Sequence, residues 1–126
     1  YLALLCIGRA HAEPRWEQMV TKDLVAASSR PLILGILAQG ESYGYEIIKR
    51  VRELSDGELA WTDGMLYPVL RRLEADGLIV SEWRVSDAGR RRRYYQINGD
   101  GAEALATERR QWGAVHGTLE KVWGPA

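Results

Sequence analysis

Residues 63–97 read DGMLYPVLRRLEADGLIVSEWRVSDAGRRRRYYQI, and this stretch decides the fold. Apolar residues recur at helical spacing from Leu66 to Leu73, and Asp76-Gly77 ends the pattern, which predicts one amphipathic helix. Two runs rich in β-branched and aromatic residues then flank a turn at 86–89, which predicts a β-hairpin. The stretch therefore predicts a helix that leads directly into a two-stranded hairpin.

Three further helices are predicted upstream, over about residues 14–27, 31–39 and 43–54. Pro14 is suited to open the first of them. Ser28-Ser29 followed by Arg30-Pro31 predicts that the first helix ends and the second begins there. Ser42 is placed to cap the third. Pro68, in the helix ahead of the hairpin, predicts a late start or a small bend of that helix.

One long helix is predicted after the hairpin, from about Asn98 to about Trp123. Asp100 with Glu103 three residues later resembles a capping box at its start. Two short helices, the second followed by a hairpin, form the winged variant of the helix-turn-helix. The predicted fold class is mainly α with a small β-hairpin, a winged helix-turn-helix domain followed by a C-terminal dimerisation helix. The predicted divisions are an N-terminal segment 1–28, the winged helix 29–97 and the C-terminal helix 98–126.

The composition narrows the possible functions. The chain has 126 residues and a formal net charge of zero, so any surface for a polyanion must be a local patch. Its single cysteine, Cys6, cannot form an internal disulfide, and His11 and His116 give no metal-ligand pair at useful spacing. No cofactor and no enzyme activity are predicted, since no catalytic constellation is apparent, and the predicted location is cytoplasmic. The apolar run 1–7 is compatible with the end of a secretory signal, but an ordinary N-terminal extension is favoured.

The helix ahead of the hairpin exposes a polar face. Its apolar stripe leaves Tyr67, Arg71 and Arg72 pointing elsewhere. Tyrosine and arginine can bond phosphates or base edges, and Gly64 and Met65 lie at the helix end that approaches bases in such domains. The alternative is an ordinary solvated face, on which carboxylates of the last turn supply ion pairs.

The hairpin carries a cluster of positive charge at its tip. Residues 82–98 hold five arginines and two carboxylates, Glu82 and Asp87, which is a local excess of three charges. Four of the arginines are consecutive, namely Arg90, Arg91, Arg92 and Arg93. Adjacent like charges repel each other, and a phosphate backbone beside the hairpin would relieve that repulsion. The alternative is a solubilising loop that prevents edge pairing of strands.

The last helix carries an apolar stripe for which the sequence predicts no cover within the winged helix. The stripe consists of Leu105, Trp112, Val115, Leu119 and Val122, and Glu108 interrupts it once. Such a stripe needs a partner surface, either the same helix of a second copy or the chain's own core, and a two-fold partner is favoured. Trp16, Trp112 and Trp123 are predicted to line an aromatic slot for a small effector, with plain core packing as the alternative.

Three motifs together resemble the PadR family of bacterial transcription regulators: SYGYEII at 42–48, DGMLYPVLRRLEADGLI at 63–79 and GRRRRYY at 89–95. The single C-terminal helix resembles the short-tailed branch of that family. The resemblance implies homodimers on dyad-symmetric operators, with the hairpin on the phosphate backbone and the C-terminal helices at the dimer interface. It also implies small, often aromatic, effectors that bind near this interface. Met65 departs from the family pattern, which usually has Thr or Ser there, so a hydroxyl contact to DNA is absent.

The residues predicted to contact DNA are Tyr43, Thr62, Gly64, Met65, Tyr67, Pro68, Arg71, Arg90, Arg91, Arg92 and Arg93. The predicted function is that of a sequence-specific regulator that binds double-stranded DNA, a homodimeric repressor released by a small aromatic effector. The alternative is a winged-helix module that docks an acidic protein partner and binds no specific DNA. The two differ in the salt dependence of binding, because phosphate contacts release counterions.

Overall fold

The computed structural model describes residues 20–125. The elements in chain order are α1 (Lys22–Ala38), β1 (Ser42–Tyr43), α2 (Gly44–Leu54), α3 (Asp63–Ala75), β2 (Ile79–Val85), β3 (Arg91–Ile97) and α4 (Gly99–Trp123). The fold is mainly α with a small antiparallel sheet, which confirms the predicted class. Helices α2 and α3 form the helix-turn-helix, and β2 with β3 forms the wing.

Helix α1 runs without a break across the serine pair at which the sequence predicted a new start. Thr21 caps it, since the Thr21 hydroxyl accepts a hydrogen bond from the backbone N–H of Leu24. The hydroxyls of Ser28 and Ser29 donate to carbonyls of the preceding turn and cap nothing. The prediction of a break was wrong because a proline removes only one helical hydrogen bond, while core packing holds the residues that follow Pro31. Residues 14–19 of the helix predicted over 14–27, with Trp16, lie outside the described residues, and its remainder is the first part of α1.

The core is built around α1. Ile33, Leu34 and Leu37 of this helix are essentially inaccessible to solvent. They pack in one cluster with residues of the other elements, including Ile47, Val51, Leu66, Leu70, Leu73, Ile79 and Tyr95. Full burial of one such aliphatic side chain contributes about 1.5–3 kcal/mol. This cluster packs both α3 and the wing against α1.

The sheet has the order β1-β3-β2, and its register puts Trp83 opposite Arg93 and Arg84 opposite Arg92. Strand β1 pairs with β3 and was not predicted. Ser42, expected to cap α2, belongs to this strand and donates its hydroxyl hydrogen bond to the Glu46 carboxylate at 2.6 Å. Two residues are too few to produce a period-two pattern, so only the paired partner reveals the strand.

Helix α4 begins differently from the prediction. Its N-cap is Asn98, whose side-chain oxygen accepts from the Gly101 N–H at 2.8 Å and whose amide donates to the Gly77 carbonyl at 2.7 Å. The predicted capping box at Asp100 was therefore wrong. Asn98 caps the helix instead, because its side chain also bonds the Gly77 carbonyl just after α3. Helix α3 begins at Asp63 and continues through Pro68, so of the two predicted effects of this proline the late start was wrong.

Candidate nucleic-acid interface

Helix α3 presents three different faces. Leu66, Leu70 and Leu73 are fully buried and point to the core. At 100° per residue, Tyr67 and Arg71 lie on one flank of this stripe, whereas Met65, Val69 and Arg72 lie on the other flank. One amphipathic helix therefore supplies walls to two separate surfaces of the molecule.

The first flank of α3 and the wing enclose an open cleft of about 840 Å³. We call this surface the arginine cleft. It is lined by the wing residues Trp83, Arg90, Arg91, Arg92, Arg93 and Tyr95, by Tyr67, Arg71 and Glu74 of α3, and by Tyr43, Gly44 and Tyr45 at the start of α2. Most of the predicted DNA-contacting residues are thereby brought together around one surface.

Four predicted contact residues do not line this cleft. Thr62, Gly64, Met65 and Pro68 are all exposed around the first turns of α3. Met65 instead lines a second cleft on the other flank of the helix. The helix N-terminus is thus solvent-accessible, whereas the cleft wall is made by its middle turns.

The wing arginines on the inner face of the sheet stack on aromatic rings. The guanidinium carbon of Arg91 lies 4.7 Å from the Trp83 ring centroid, and that of Arg93 lies 5.8 Å from the Tyr95 ring centroid. Arg93 also donates to the Ser81 hydroxyl at 2.9 Å and forms an ion pair with Glu74 at 3.3 Å. These contacts within the chain hold the Arg93 side chain against α3.

The outer face of the sheet repeats this arrangement. The guanidinium carbon of Arg92 lies 4.4 Å from the Tyr43 ring centroid, and that of Arg84 lies 4.5 Å from the Tyr94 ring centroid. The rings of Tyr43 and Tyr94 meet edge to face at 5.4 Å. A guanidinium over an aromatic face is stabilised by the ring quadrupole, so the rings hold like charges close together.

The arginines divide into paired and unpaired groups. Arg84 forms ion pairs with Glu41 and Glu82, and Arg93 forms one with Glu74. Within residues 20–125, the side chains of Arg71, Arg90, Arg91 and Arg92 form no ion pair with a carboxylate. The hairpin tip therefore keeps three cationic groups available to an anionic partner.

The ion pairs of Arg84 shift the pKa values of Glu41 and of Arg84 itself. The hydrogen bonds from Arg84 and then from Gln96 lower the pKa of Glu41 to about 2. The same contact with Glu41, and a second with Glu82, raises the pKa of Arg84. Burial raises the pKa of the Tyr95 phenol, and the charge of Arg93 partly opposes that change. Glu41 and Arg84 consequently remain a charged pair at neutral pH.

Gly44 determines where Tyr67 lies, although sequence reasoning did not single it out. A Cβ atom at Gly44 would lie 2.2 Å from the Tyr67 hydroxyl oxygen and 2.8 Å from its ring carbon Cζ. The Tyr67 ring therefore rests on the backbone at the start of α2. Only a glycine permits such a close approach.

The stripe on α4 changes its environment along the helix. Leu105 packs against the chain's own core, and Glu108 accepts a hydrogen bond from Arg30 of α1 at 3.3 Å, which explains why a carboxylate interrupts the stripe. Val115 and Val122 are 52% and 74% exposed. Leu119 is exposed as well, so residues 20–125 leave the second half of the stripe uncovered.

The two predicted effector residues within 20–125 do not line a common cleft there. Trp112 is half-buried and Trp123 is 69% exposed, and neither lines the two large clefts beside α3. Trp16 lies outside the described residues. An aromatic slot built from these residues stays a prediction that concerns an assembly of two chains.

Two general features concern residues 20–125. None of the helices there has the length and apolar character needed to cross a bilayer. The same part of the chain holds no group of three or more His, Cys, Asp and Glu side chains suited to a metal ion.

Comparison with known proteins assigns the family. Residues 33–107 match the model of the transcriptional regulator PadR-like family. The chain is 43% identical over 89 residues to the transcriptional regulator Rv3488 of Mycobacterium tuberculosis, covering 71% of this chain and 79% of that protein.

Solved structures agree with this assignment. A PadR family regulator from Clostridium difficile is 32% identical with a TM-score of 0.68, covering 77% of this chain and 99% of that one. A PadR-like regulator from Bacillus cereus is 28% identical with a TM-score of 0.73, covering 83% and 100%. The chain therefore belongs to the PadR-like family of transcriptional regulators, as its motifs predicted, and is a regulator and not an enzyme.

Proposed function

We propose that this protein is a homodimeric repressor that binds a dyad-symmetric operator in double-stranded DNA and is released by a small effector. In this proposal the exposed N-terminus of α3 enters the major groove, and the wing contacts the phosphate backbone. The observation that carries the proposal is the arginine cleft, in which α3 and the wing face each other around unpaired guanidinium groups.

The charge distribution supports phosphate contact by the wing tip. Arg90 and Arg91 are exposed, and Arg92 is half-buried on Tyr43. Stacking on Trp83 and Tyr43 limits the rotamers of Arg91 and Arg92, so less conformational entropy is lost when a phosphate binds. A neutral chain that concentrates cations on one hairpin is suited to a local polyanionic surface.

The second half of α4 supports the dimer. Val115, Leu119 and Val122 are apolar side chains on one stripe that the described part of the chain leaves exposed, and a two-fold copy of the same helix would cover them. Two half-sites on one face of DNA lie about 34–36 Å apart, a separation that one winged helix cannot span. We propose that Trp112 and Trp123 lie near this interface and contribute to the predicted aromatic slot.

Salt-dependent DNA binding tests the proposal. Fluorescence anisotropy with DNA from upstream of the protein's own gene is measured from about 50 to 200 mM salt, the range over which phosphate contacts lose most affinity. Arg91→Ala is expected to reduce the slope of log K against log salt by about one. Arg52→Ala, which removes an exposed arginine from the end of α2, is the matched control and is expected to leave the slope unchanged.

The competing function is docking of an acidic protein partner by the wing. It predicts no preference for the upstream DNA over random DNA of the same length. Equal affinity for both DNAs, with equal slopes for wild type and Arg91→Ala, would contradict the repressor. Sedimentation of the DNA-free protein as a monomer at micromolar concentration would contradict the homodimer alone.

A further inference from the structure

A second cleft lies on the flank of α3 that faces away from the wing. We call it the apolar cleft. It has a volume of about 610 Å³ and lies between α1, the segment before α3 and α3 itself, with Val25, Ser29, Leu59, Trp61, Met65 and Val69 among its lining residues. Small-molecule sites have volumes of about 300–1,000 Å³ and mainly apolar walls. The cleft has the size and surface of such a site.

Trp61 gives this cleft a specific chemical requirement. Its side chain is 96% buried, since 4% of it is exposed, and its indole Nε1 finds no hydrogen-bond acceptor in the described part of the chain. Buried tryptophan N–H groups usually have a partner, and an unpaired buried donor is destabilising. The Nε1 atom itself has almost no accessible surface, so an acceptor oxygen on a bound molecule satisfies this donor only once the indole has turned toward the cleft.

The rim of the cleft adds a preference for negative charge. Lys22 and Arg72 lie on it together with one carboxylate, Glu58, and all three are exposed. None of the three forms an ion pair with another described residue. Two cations against one anion favour a ligand that carries an anionic oxygen at the mouth of an apolar pocket.

The cleft shares a wall with the DNA-facing helix. Met65 lies in the first turn of α3, and Val69 follows one turn later, directly beside the buried Leu66 and Leu70. A molecule wedged between α1 and this wall acts on the position of α3 relative to the wing. Binding at one site changes affinity at another when the two states of the protein bind the ligand differently.

We infer that the apolar cleft is an effector site within each chain, which takes a small, mainly apolar molecule with an anionic oxygen. Trp61 donates to this oxygen, and occupation of the cleft weakens DNA binding. The regulatory part of this inference rests on the proposed function. The site differs from the slot of Trp112 and Trp123, because it needs no second chain.

Naphthoate, an apolar bicyclic ring with one carboxylate, is a suitable probe for calorimetric titration of the full chain. Ala26→Trp fills the cleft from α1 and is expected to abolish naphthoate binding. Ala27→Trp places the same bulk on an exposed neighbouring position that does not line the cleft, and binding is expected to persist. Trp61→Phe keeps a ring and removes the donor, and weakens binding about 2- to 10-fold, the worth of one hydrogen bond.

The Trp61 N–H also provides a spectroscopic readout. In proton–nitrogen correlation NMR, the indole signal missing from Trp61→Phe identifies Trp61. Naphthoate is expected to move this signal more than those of the other four tryptophans. Equal binding by Ala26→Trp and Ala27→Trp, or no naphthoate binding at millimolar concentration, would overturn the inference.

Anisotropy with operator DNA separates the two proposals. Saturating naphthoate is expected to weaken DNA binding of the wild type and of Ala27→Trp by about 5- to 150-fold, the usual range of coupling between two sites. Ala26→Trp should no longer respond. A wild type that binds operator DNA but ignores naphthoate overturns only the effector site. A wild type that binds naphthoate and shows no operator preference overturns the proposed function and the regulation, and leaves a ligand site.

Discussion

The two clefts beside α3 differ in the chemistry of the side chains that line them. The arginine cleft is lined by charged and aromatic side chains, whereas the apolar cleft is lined mainly by apolar side chains, among them Trp61, whose indole N–H has no acceptor within residues 20–125. The first collects positive charge that its own aromatic rings hold in place. The second leaves a donor without an acceptor. A helix with a single buried stripe thus separates two surfaces of different chemistry, because its two flanks point in nearly opposite directions.

The separation also predicts that one surface influences the other. Only the row of Leu66, Leu70 and Leu73 lies between the clefts, and these side chains are fully buried. Protein interiors are close-packed, so a displacement of α3 on one flank cannot be absorbed without a change on the other. The following substitutions test this comparison, beginning with the largest expected effect.

Leu70→Ala removes the packing that both clefts share. Loss of a fully buried leucine is expected to lower the free energy of unfolding by about 2–5 kcal/mol. Urea denaturation followed by circular dichroism measures it. Val85→Ala, at a position 67% exposed on the wing, is the control and should change the value by less than about 0.5 kcal/mol. Similar losses for both variants would mean that α3 is not held by this core.

Gly44→Ala disturbs only the arginine cleft. The new methyl group would meet the Tyr67 hydroxyl at 2.2 Å, so the ring must move, at a cost of about 1–3 kcal/mol in stability. DNA affinity should fall as well, while naphthoate binding is unchanged. Gly35→Ala on α1 is the control, because no atom lies within 4 Å of its Cβ and the residue lines neither cleft. Unchanged stability and DNA affinity of Gly44→Ala would show that the position of Tyr67 is not determined by this contact.

Glu74→Gln removes the carboxylate that lines the arginine cleft and releases Arg93 from its ion pair. DNA affinity is expected to rise roughly 2- to 5-fold, since an exposed charge pair is worth about 0.2–1 kcal/mol. Anisotropy at constant salt measures the change. Glu53→Gln, an exposed carboxylate on α2, is the control for net charge. An equal gain in both variants would attribute the effect to overall charge alone.

Glu41→Gln tests whether the ion pair between Glu41 and Arg84 stabilises the protein. The pKa of Glu41 is about 2 in the folded chain and lies below its ordinary value of 4.5. Its contribution to stability is therefore fully present above about pH 4.5 and is lost as the pH falls through about 2. Urea midpoints measured from pH 6 down to pH 3 should show wild type above Glu41→Gln, with a difference that shrinks on acidification. A difference independent of pH would refute the ion-pair contribution.

Local pattern was sufficient for the elements that carry function. The leucine spacing before Gly77 and the change of period after it predicted α3 and the wing, and both were confirmed by the structure. The four consecutive arginines predicted the cationic tip. Their division into Arg93, which is paired with Glu74, and its free neighbours depends on a contact between α3 and β3 that no local pattern contains.

Several details depended on partners distant in sequence. The strand at Ser42 exists because β3 pairs with it, and the cap at Asn98 also bonds the Gly77 carbonyl at the end of α3. Glu108 interrupts an apolar stripe because Arg30 lies opposite. In each case the local preference was weak, and a single tertiary contact decided the outcome.

The sequence by itself determined the order of helices and strands, the family and the location of positive charge, because periodicity, turn residues and motifs act over a few neighbouring positions. Only the tertiary structure decided that the two flanks of α3 line separate clefts, that Tyr67 rests on Gly44 and that the Trp61 N–H lacks an acceptor within residues 20–125. These features arise when segments far apart in the chain are packed together, and burial then determines which polar groups find partners.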